Sequence, residues 1–435
     1  MRKDVIKSLI QMRQHEVPFK VIERDISLPI DRNKIITIPG VRRCGKSTMM
    51  ELAVNRLVAG GTDVRRVLWI GFDDERLLDM TSDSLNEVLQ AYSELYPGIS
   101  LADVYMFFDE IQLIEGWEYF VLRVYKSYCR NVYVCGSNAT VLSTQLTSIL
   151  RGYPLEQEVL PLSFREYCRF LAVPTDSYTH ADRAALRAAC NDYILASAFP
   201  EVVLTPSPID RLKILHSYFE TMLLRDLVEH YRLSNIPAVR YFTRRLMANL
   251  SKPTSVNKIY NEMKSAGVRV SKDDVYLWAN YVCDIFLFIR IPRFERSLVR
   301  EQRAAYKYYC IDGGLRTSVL MPQSNDEGKL LENSIFLELW RRRQPGDRIT
   351  YYASTATECD FVIVRGDSAV ALIQVTWDMG DNDTRKREIK GILEAARATG
   401  CDSLTIITRD EQGTVRADNR TINITPAWQW LLPPY

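Results

Sequence analysis

The sequence predicts an α/β protein whose N-terminal part is a parallel sheet covered by helices on both faces, followed by helical and mixed parts. Three observations predict it. Between residues 33 and 160, short continuous apolar runs alternate with amphipathic stretches, and strands buried on both faces read as such runs. One run leads into a glycine-rich turn and then a helix-like stretch, the pattern of a strand–loop–helix unit. The 435 residues, 47% hydrophobic and 25% charged, have the composition of a folded globular chain and the length of about three domains. Disordered, collagen-like and small disulfide-scaffold classes are thereby excluded.

The apolar runs are 34–38, 67–72, 104–108 and 131–135, each ending in polar or glycine-rich residues, with helix-like segments such as 48–58 and 84–96 between them and a strand at 156–160. From 161 to 250 the pattern is mainly helical, and 211–229 is the longest periodic segment. The stretch 251–300 reads helix, turn, helix, β-hairpin. Its first helix opens after Ser255, Gly267 breaks the chain, and Ser271 caps the second helix with Asp274 at its third position. The last part, 328–435, begins with a helix around 330–343 and continues with strands at 350–352, 360–364 and 369–376. A helix at 384–399 and a strand at 403–408 complete it.

With 56 basic and 54 acidic residues the formal net charge is +2, so no overall basic field points to nucleic acid or an anionic membrane. Any such contact must be local. The charged N-terminus, Met1-Arg2-Lys3-Asp4-Val5, argues against a signal peptide. The most apolar stretch, 275–292, is interrupted by Asn280, Asp284 and Arg290 and falls short of the roughly 18 uncharged residues of a spanning helix. Nine scattered cysteines without a Cys-x-x-Cys pair fit reduced, mostly buried thiols. The histidines His15, His180, His216 and His230 show no metal spacing. A cytoplasmic chain without a membrane partner is expected.

The run Gly40-Val41-Arg42-Arg43-Cys44-Gly45-Lys46-Ser47 matches G-x-x-x-x-G-K-[ST] in full, after a strand and at the start of a helix. Its glycines let backbone N–H groups turn inward around phosphate oxygens, where a Cβ would block the approach. The helix presents its positive end to the same phosphates. Lys46 is then expected to reach the β- and γ-phosphates of ATP, and the Ser47 hydroxyl to ligate Mg²⁺. Cys44 reads as a replaceable spacer open to alkylation.

The second half of such a site lies at another strand end. Val104-Tyr105-Met106-Phe107-Phe108 runs straight into Asp109-Glu110, which places two carboxylates at the edge of the sheet where ligands of these folds bind. Asp109 is expected to hold the Mg²⁺ shell and Glu110 to polarise the attacking water. An ordinary acidic strand end is the plain alternative. The strand 131–135 ends in Gly136-Ser137-Asn138, where a polar side chain either touches the γ-phosphate or caps the following helix. Leu150-Arg151-Gly152 follows that helix, and by the residues alone Arg151 reads as a surface arginine by a helix C-terminus.

These residues resemble a bacterial and archaeal group of AAA-like ATPases that carry a C-terminal domain of unknown function. The resemblance rests on Ile38 through Thr48, Phe108-Asp109-Glu110-Ile111-Gln112, Trp117-Glu118, Gly136-Ser137 and Pro161-Leu162-Ser163-Phe164-Arg165-Glu166-Tyr167. Ala198-Phe199-Pro200-Glu201-Val202 and Leu224-Arg225-Asp226-Leu227 are similar to the group's helical region. Tyr308, Asp312-Gly313-Gly314-Leu315, Glu332-Asn333 and Glu358-Cys359-Asp360-Phe361-Val362 resemble its C-terminal part. The likeness implies that Gly40, Arg42, Arg43, Cys44, Gly45, Lys46, Ser47, Thr48, Asp109 and Ser137 bind nucleotide. It further implies that Glu110, Lys46 and Arg151 serve hydrolysis, Arg151 by reaching a neighbouring subunit's nucleotide where it is not merely a surface arginine, and that Ser47 and Asp109 hold the metal.

The C-terminal part also resembles the PD-(D/E)xK nuclease core, with Glu332 and Asp360 where two acids of a metal centre would lie. In place of the expected Glu-x-Lys, this chain has Gln374-Val375-Thr376. An amide supplies no charge and threonine is no ammonium, so a docking role outranks cleavage. The segment from Ser255 to about Arg300 resembles a winged helix. Its second helix opens Lys272-Asp273-Asp274, whose acids repel phosphates. Arg290, Arg293, Arg296 and Arg300 offer a basic edge, and Arg341-Arg342-Arg343 a second cluster.

The expected architecture is therefore a P-loop NTPase parallel sheet (1–160), a helical lid (161–250), a winged-helix-like segment (251–310) and an α/β restriction-endonuclease-like domain (311–435). The expected activity is ATP hydrolysis coupled to an unidentified protein partner, with DNA or RNA contact and homo-oligomerisation left open. A nucleotide-holding adaptor and an ATP-regulated nuclease are the alternatives.

Overall fold

The computed structural model describes residues 2–136, 152–176, 179–321 and 326–432. The chain divides into two compact units, Met1–Leu160 and Pro161–Tyr435. Among the described residues no helix is long and apolar enough to cross a membrane.

The first unit is a five-stranded parallel sheet in the order β2-β3-β4-β1-β5. Its strands are β1 (Ile35–Pro39), β2 (Val67–Gly71), β3 (Tyr105–Asp109), β4 (Asn131–Gly136) and β5 (Pro154–Glu156). Strand β4 lies between β1 and β3, so the chain order reverses at the β1–β4 seam, where α/β sheets open a ligand crevice. The helices α1 (Arg2–His15), α3 (Asn86–Leu95) and α4 (Trp117–Ser127) cover one face. Ile6, Ile10, Val88, Tyr92, Val121 and Val124 pack there against Leu68, Ile70, Met106, Phe108, Val132 and Val134. Alternate residues of the same strands reach the other face. There Trp69, Phe107 and Tyr133 stack across three neighbours, with ring centroids 5.6 and 4.6 Å apart. Helix α2 (Lys46–Ala59) follows β1 directly.

Strand β5 is shorter and earlier than the expected 156–160. Its ladder with β1 nevertheless continues as single bonds, Gln157 N–H to the Thr37 carbonyl and Val159 N–H to that of Pro39, both 2.8 Å. The chain there follows β1 without keeping strand geometry.

The second unit opens with helices α5 (Phe164–Phe170), α6 (His180–Leu195), α7 (Pro200–Leu204), α8 (Pro208–Thr221) and α9 (Ile236–Ala248). The periodic segment 211–229 is helical without a break, and α8 passes at Met222 into a wider π-type stretch reaching Glu229. Next come β6 (Pro253–Thr254), α10 (Val256–Ser265), α11 (Lys272–Asp284), β7 (Phe288–Ile291), α12 (Leu298–Arg303) and β8 (Tyr306–Cys310). The Ser271 side chain accepts the Asp274 N–H at 3.0 Å and caps α11. The hairpin expected to close by 300 pairs β7 with the later β8 across α12, in a three-stranded sheet ordered β6-β8-β7.

After α13 (Gly313–Val319) and α14 (Asp326–Arg342) come six strands: β9 (Asp347–Ala353), β10 (Glu358–Arg365), β11 (Ser368–Val375), β12 (Leu404–Thr408), β13 (Gly413–Ala417) and β14 (Arg420–Pro426). They form one mixed sheet ordered β13-β14-β12-β11-β10-β9, and α15 (Asn382–Thr399) joins β11 to its parallel neighbour β12. Ile392, Ala395 and Ala396 of α15 pack on Val362, Leu372, Ile406 and Ile422. The β13–β14 hairpin was not foreseen. Arg416 and Thr421 face each other in it outside the core, and such half-exposed strands carry little apolar signal.

Candidate functional site

The glycine-rich turn occupies the crevice predicted by the strand order. Pro39 ends β1 opposite Gly136, the last residue of β4. The loop then turns through two left-handed residues, Arg43 at φ 69° and Gly45 at φ 98°, before α2 begins at Lys46. A Cβ on Gly40 would overlap the Val159 carbonyl oxygen, so only glycine lets the two backbones meet here. Arg24, which the sequence reading passed over, clamps the loop through Nη1 to the Cys44 carbonyl and Nη2 to that of Leu160, both at 3.0 Å.

Lys46 is buried, and its Nζ donates to the carbonyls of Gly40 and Val41 at 3.0 Å each. The ammonium is thus held over the concave side of its own loop. Burial lowers its affinity for a proton, but Glu110, Asp109 and the two nearby thiols act against this, and its pKa ends above the ordinary value. It stays charged at neutral pH. Arg42 is half-buried, Arg43 exposed, and Ser47 and Thr48 stand half-buried in the first turn of α2.

Asp109 ends β3 and is almost fully buried. Burial pushes its carboxyl above the usual range, against the pull of the Cys135 thiol and the nearby Ser47 hydroxyl. The Ser47 hydroxyl thus lies on the side of the loop that faces Asp109. Two hard oxygen donors suit Mg²⁺, which usually takes one or two protein carboxylates and keeps several waters. Cys135 Sγ donates to Asp109 Oδ1 at 2.7 Å, and burial followed by the Asp109 charge holds that thiol neutral. Cys44 is likewise inaccessible: its Sγ donates to the Val159 carbonyl at 3.2 Å and burial raises its pKa. The expected alkylation at Cys44 is thus corrected by packing.

Glu110 turns out of the strand in a left-handed conformation, φ 51°, and accepts a bond from the Gln112 amide. The structure therefore brings together Gly40, Cys44, Gly45, Lys46, Ser47, Asp109 and Glu110. Ser137, Asn138 and Arg151 lie outside the described residues.

A second charged centre lies in the C-terminal unit. Lys307 of β8 is fully buried, and its Nζ is 3.0 Å from Glu332, 2.9 Å from Asp360 and 2.5 Å from Glu358. The ammonium occupies the space between the acids that the sequence assigned to a metal. Tyr309, two residues along the same face of β8, donates to Glu332 at 2.7 Å. Gln374 donates to Glu388 at 2.6 Å and accepts from the Asp360 N–H at 3.2 Å. A cleft of about 670 Å³ opens here, lined by Glu332, Glu358, Trp377, Arg387 and Glu388 among others. No cluster of three or more metal-ligating side chains suited to a metal ion is present among the described residues. A lysine inside the apolar run Tyr-Lys-Tyr-Tyr-Cys was the available signal for this centre.

The two arginine groups differ in how far their charges are engaged, and Arg300 of the first stands exposed. Arg290 lies over the Tyr306 ring at 4.9 Å, Arg293 pairs with Glu295, and Arg296 donates to the Ala398 carbonyl. Arg341 donates to the carbonyls of Pro161 and Leu162, Arg342 to that of Trp430 and Arg343 to that of Trp340. The charges of Arg341, Arg342 and Arg343 are thus committed to holding the unit together.

A strand–glycine loop–helix unit at the switch point, with an acid-ended strand separated from it by β4, defines a P-loop ATPase fold. A family model described as an AAA domain matches residues 32–168, and one for a domain of unknown function matches residues 187–326. An uncharacterized protein of Methanocaldococcus jannaschii is 31% identical over 422 residues, covering 95% of this chain and 91% of its own. One of Haemophilus influenzae is 26% identical over 352 residues, covering 81% and 84% respectively. A solved Walker-type ATPase of Pyrococcus abyssi aligns with 73% of this chain and 95% of its own, at 14% identity and a TM-score of 0.42. The chain belongs to the family of the Methanocaldococcus protein, the AAA-like P-loop ATPases with an additional domain of unknown function.

Proposed function

We propose that this protein is a cytoplasmic ATP-hydrolysing switch whose nucleotide state governs a partner-binding C-terminal module. The observation that carries the reading is the buried Lys46, its Nζ held at the carbonyls of Gly40 and Val41 in the glycine loop, with buried Asp109 at the end of β3 and Glu110 next in the chain. Lys46 and the loop N–H groups hold the phosphates; Ser47 and Asp109 would hold Mg²⁺, which supplies charge neutralisation at the phosphate oxygens. Glu110 receives the proton of the attacking water. Purified protein with Mg²⁺ should release phosphate from ATP, and Glu110→Gln should slow this roughly 100-fold or more while retaining ATP. Turnover of the Gln variant at the parent rate would take Glu110 out of the chemistry.

Within this reading, residues 1–160 are the motor, 161–250 a helical lid, 251–310 a winged-helix-like segment and 311–435 a nuclease-like module that does not cleave. Lys307 supports the last assignment, because an ammonium seated between Glu332 and Asp360 competes for the space of a divalent ion. Labelled single- and double-stranded DNA and RNA should stay intact with the protein, Mn²⁺ and ATP. Cleavage lost in Asp360→Asn but kept in Lys46→Ala would reverse the assignment. The internal engagement of Arg341, Arg342 and Arg343 takes one of the two basic clusters away from nucleic acid and favours a protein partner. For Arg151 the reading is action on a neighbouring subunit's nucleotide: mixing Arg151→Ala with Lys46→Ala should restore turnover by pairing an intact pocket with an intact arginine.

A further inference from the structure

Gln112 is absorbed by no role so far. It sits in the short turn Ile111–Leu113 that follows the left-handed Glu110. Its amide nitrogen donates to Glu110 Oε2, and its amide oxygen is buried with no hydrogen-bond partner. A buried amide oxygen left unpaired is costly, so this atom is aimed at a group that arrives. The carboxamide lies against Gly136, where a Cβ would overlap its oxygen and come within 2.8 Å of its Cδ. Gly136 is the register partner of Pro39, the residue that leads into the phosphate loop. The orphaned oxygen therefore lies at the β1–β4 seam, beside the carboxylate that faces Lys46 electrostatically.

We infer that Gln112 positions the attacking water, with its amide nitrogen fixing Glu110 and its free oxygen accepting one water hydrogen while Glu110 accepts the other. The inference rests on the ATPase reading and deepens it. In the step served, the water oxygen bonds to the γ-phosphorus. The bond from that phosphorus to the β–γ bridging oxygen breaks, its electron pair leaving on ADP, and the water proton passes to Glu110. Gly136 is part of the same device, because its missing side chain is the room the carboxamide occupies. The role explains why a polar residue is kept in a turn whose neighbour Ile111 is buried in the apolar core.

The test is a double-mutant cycle on turnover, with affinity for ATP measured in parallel. Gln112→Ala and Gly136→Ala should each lower kcat roughly tenfold to a hundredfold with the ATP dissociation constant unchanged. In Gly136→Ala the new methyl pushes the flexible carboxamide off Glu110. Once Gln112 is truncated that clash is gone, so the double variant should turn over like Gln112→Ala alone. Gln112→Glu keeps the volume but repels Glu110, and it should lose as much as Ala; a residue that only filled space would tolerate it. Losses that multiply in the double variant, or parent turnover in Gln112→Ala or Gln112→Glu, overturn the inference. A parent no faster than Lys46→Ala overturns the ATPase reading and this inference with it.

Discussion

Lys46→Ala should abolish useful ATP binding. The side chain donates two bonds at 3.0 Å, now to the carbonyls of Gly40 and Val41, and it is the buried cation over the loop's concave side. Phosphate oxygens offer the same ammonium full negative charge, so the exchange favours nucleotide. Charge-assisted bonds contribute about 1.5–3 kcal/mol each, and losing two of them corresponds to a roughly 100-fold or larger fall in affinity. The effect is local, because the loop is also held by Arg24 and by the Gly40–Val159 approach. The Ala variant should therefore melt near the parent temperature while failing to retain a fluorescent ATP analogue. Binding at parent strength would place the phosphates elsewhere.

Lys307→Met should destabilise the C-terminal unit by about 3–5 kcal/mol, the usual result of removing one partner from a buried ion cluster. Methionine matches the length of the lysine stem, so little volume is lost, and the cost comes from Glu332 and Asp360 left without their cation. For a unit of this size the melting temperature should fall by roughly 6–20 °C. The loss should depend on pH in a definite direction. Burial and the charge of Asp360 push the Glu332 carboxyl up to about 8, against the pull of Lys307. Because the folded pKa lies above the unfolded value, the folded unit binds the extra proton between them, and stability falls as pH rises through that window. A protonated Glu332 needs no cation. The difference between parent and variant should therefore shrink as pH is lowered from 8 toward 5. A Met variant as stable as the parent at pH 8, measured by urea unfolding, would show that the ion cluster contributes nothing net.

Much of the first unit was legible because its signals are local. Apolar runs buried on both faces, the glycine spacing before Lys46 and the acids after Phe108 each depend on adjacent residues. The β13–β14 hairpin and the true partner of β7 were not legible, since half-exposed strands carry weak patterns and pairing across an inserted helix leaves no short-range trace. The engagement of Arg341 to Arg343 was not legible for a related reason. Arg341 takes as a partner the carbonyl of Pro161, 180 positions away in the chain.

By itself the sequence determined that this is a P-loop ATPase fold and that Lys46 and Ser47 close a glycine loop while Asp109 and Glu110 end an apolar run. Only the tertiary structure decided what surrounds those groups. It brought Cys135 onto Asp109, laid the Gln112 amide between Glu110 and Gly136, and put the Lys307 ammonium among Glu332, Glu358 and Asp360. The physical reason is range. Loop and strand-end chemistry is written in consecutive residues, whereas a buried polar group takes its partner from whichever strand or helix the packed core places within about 3 Å.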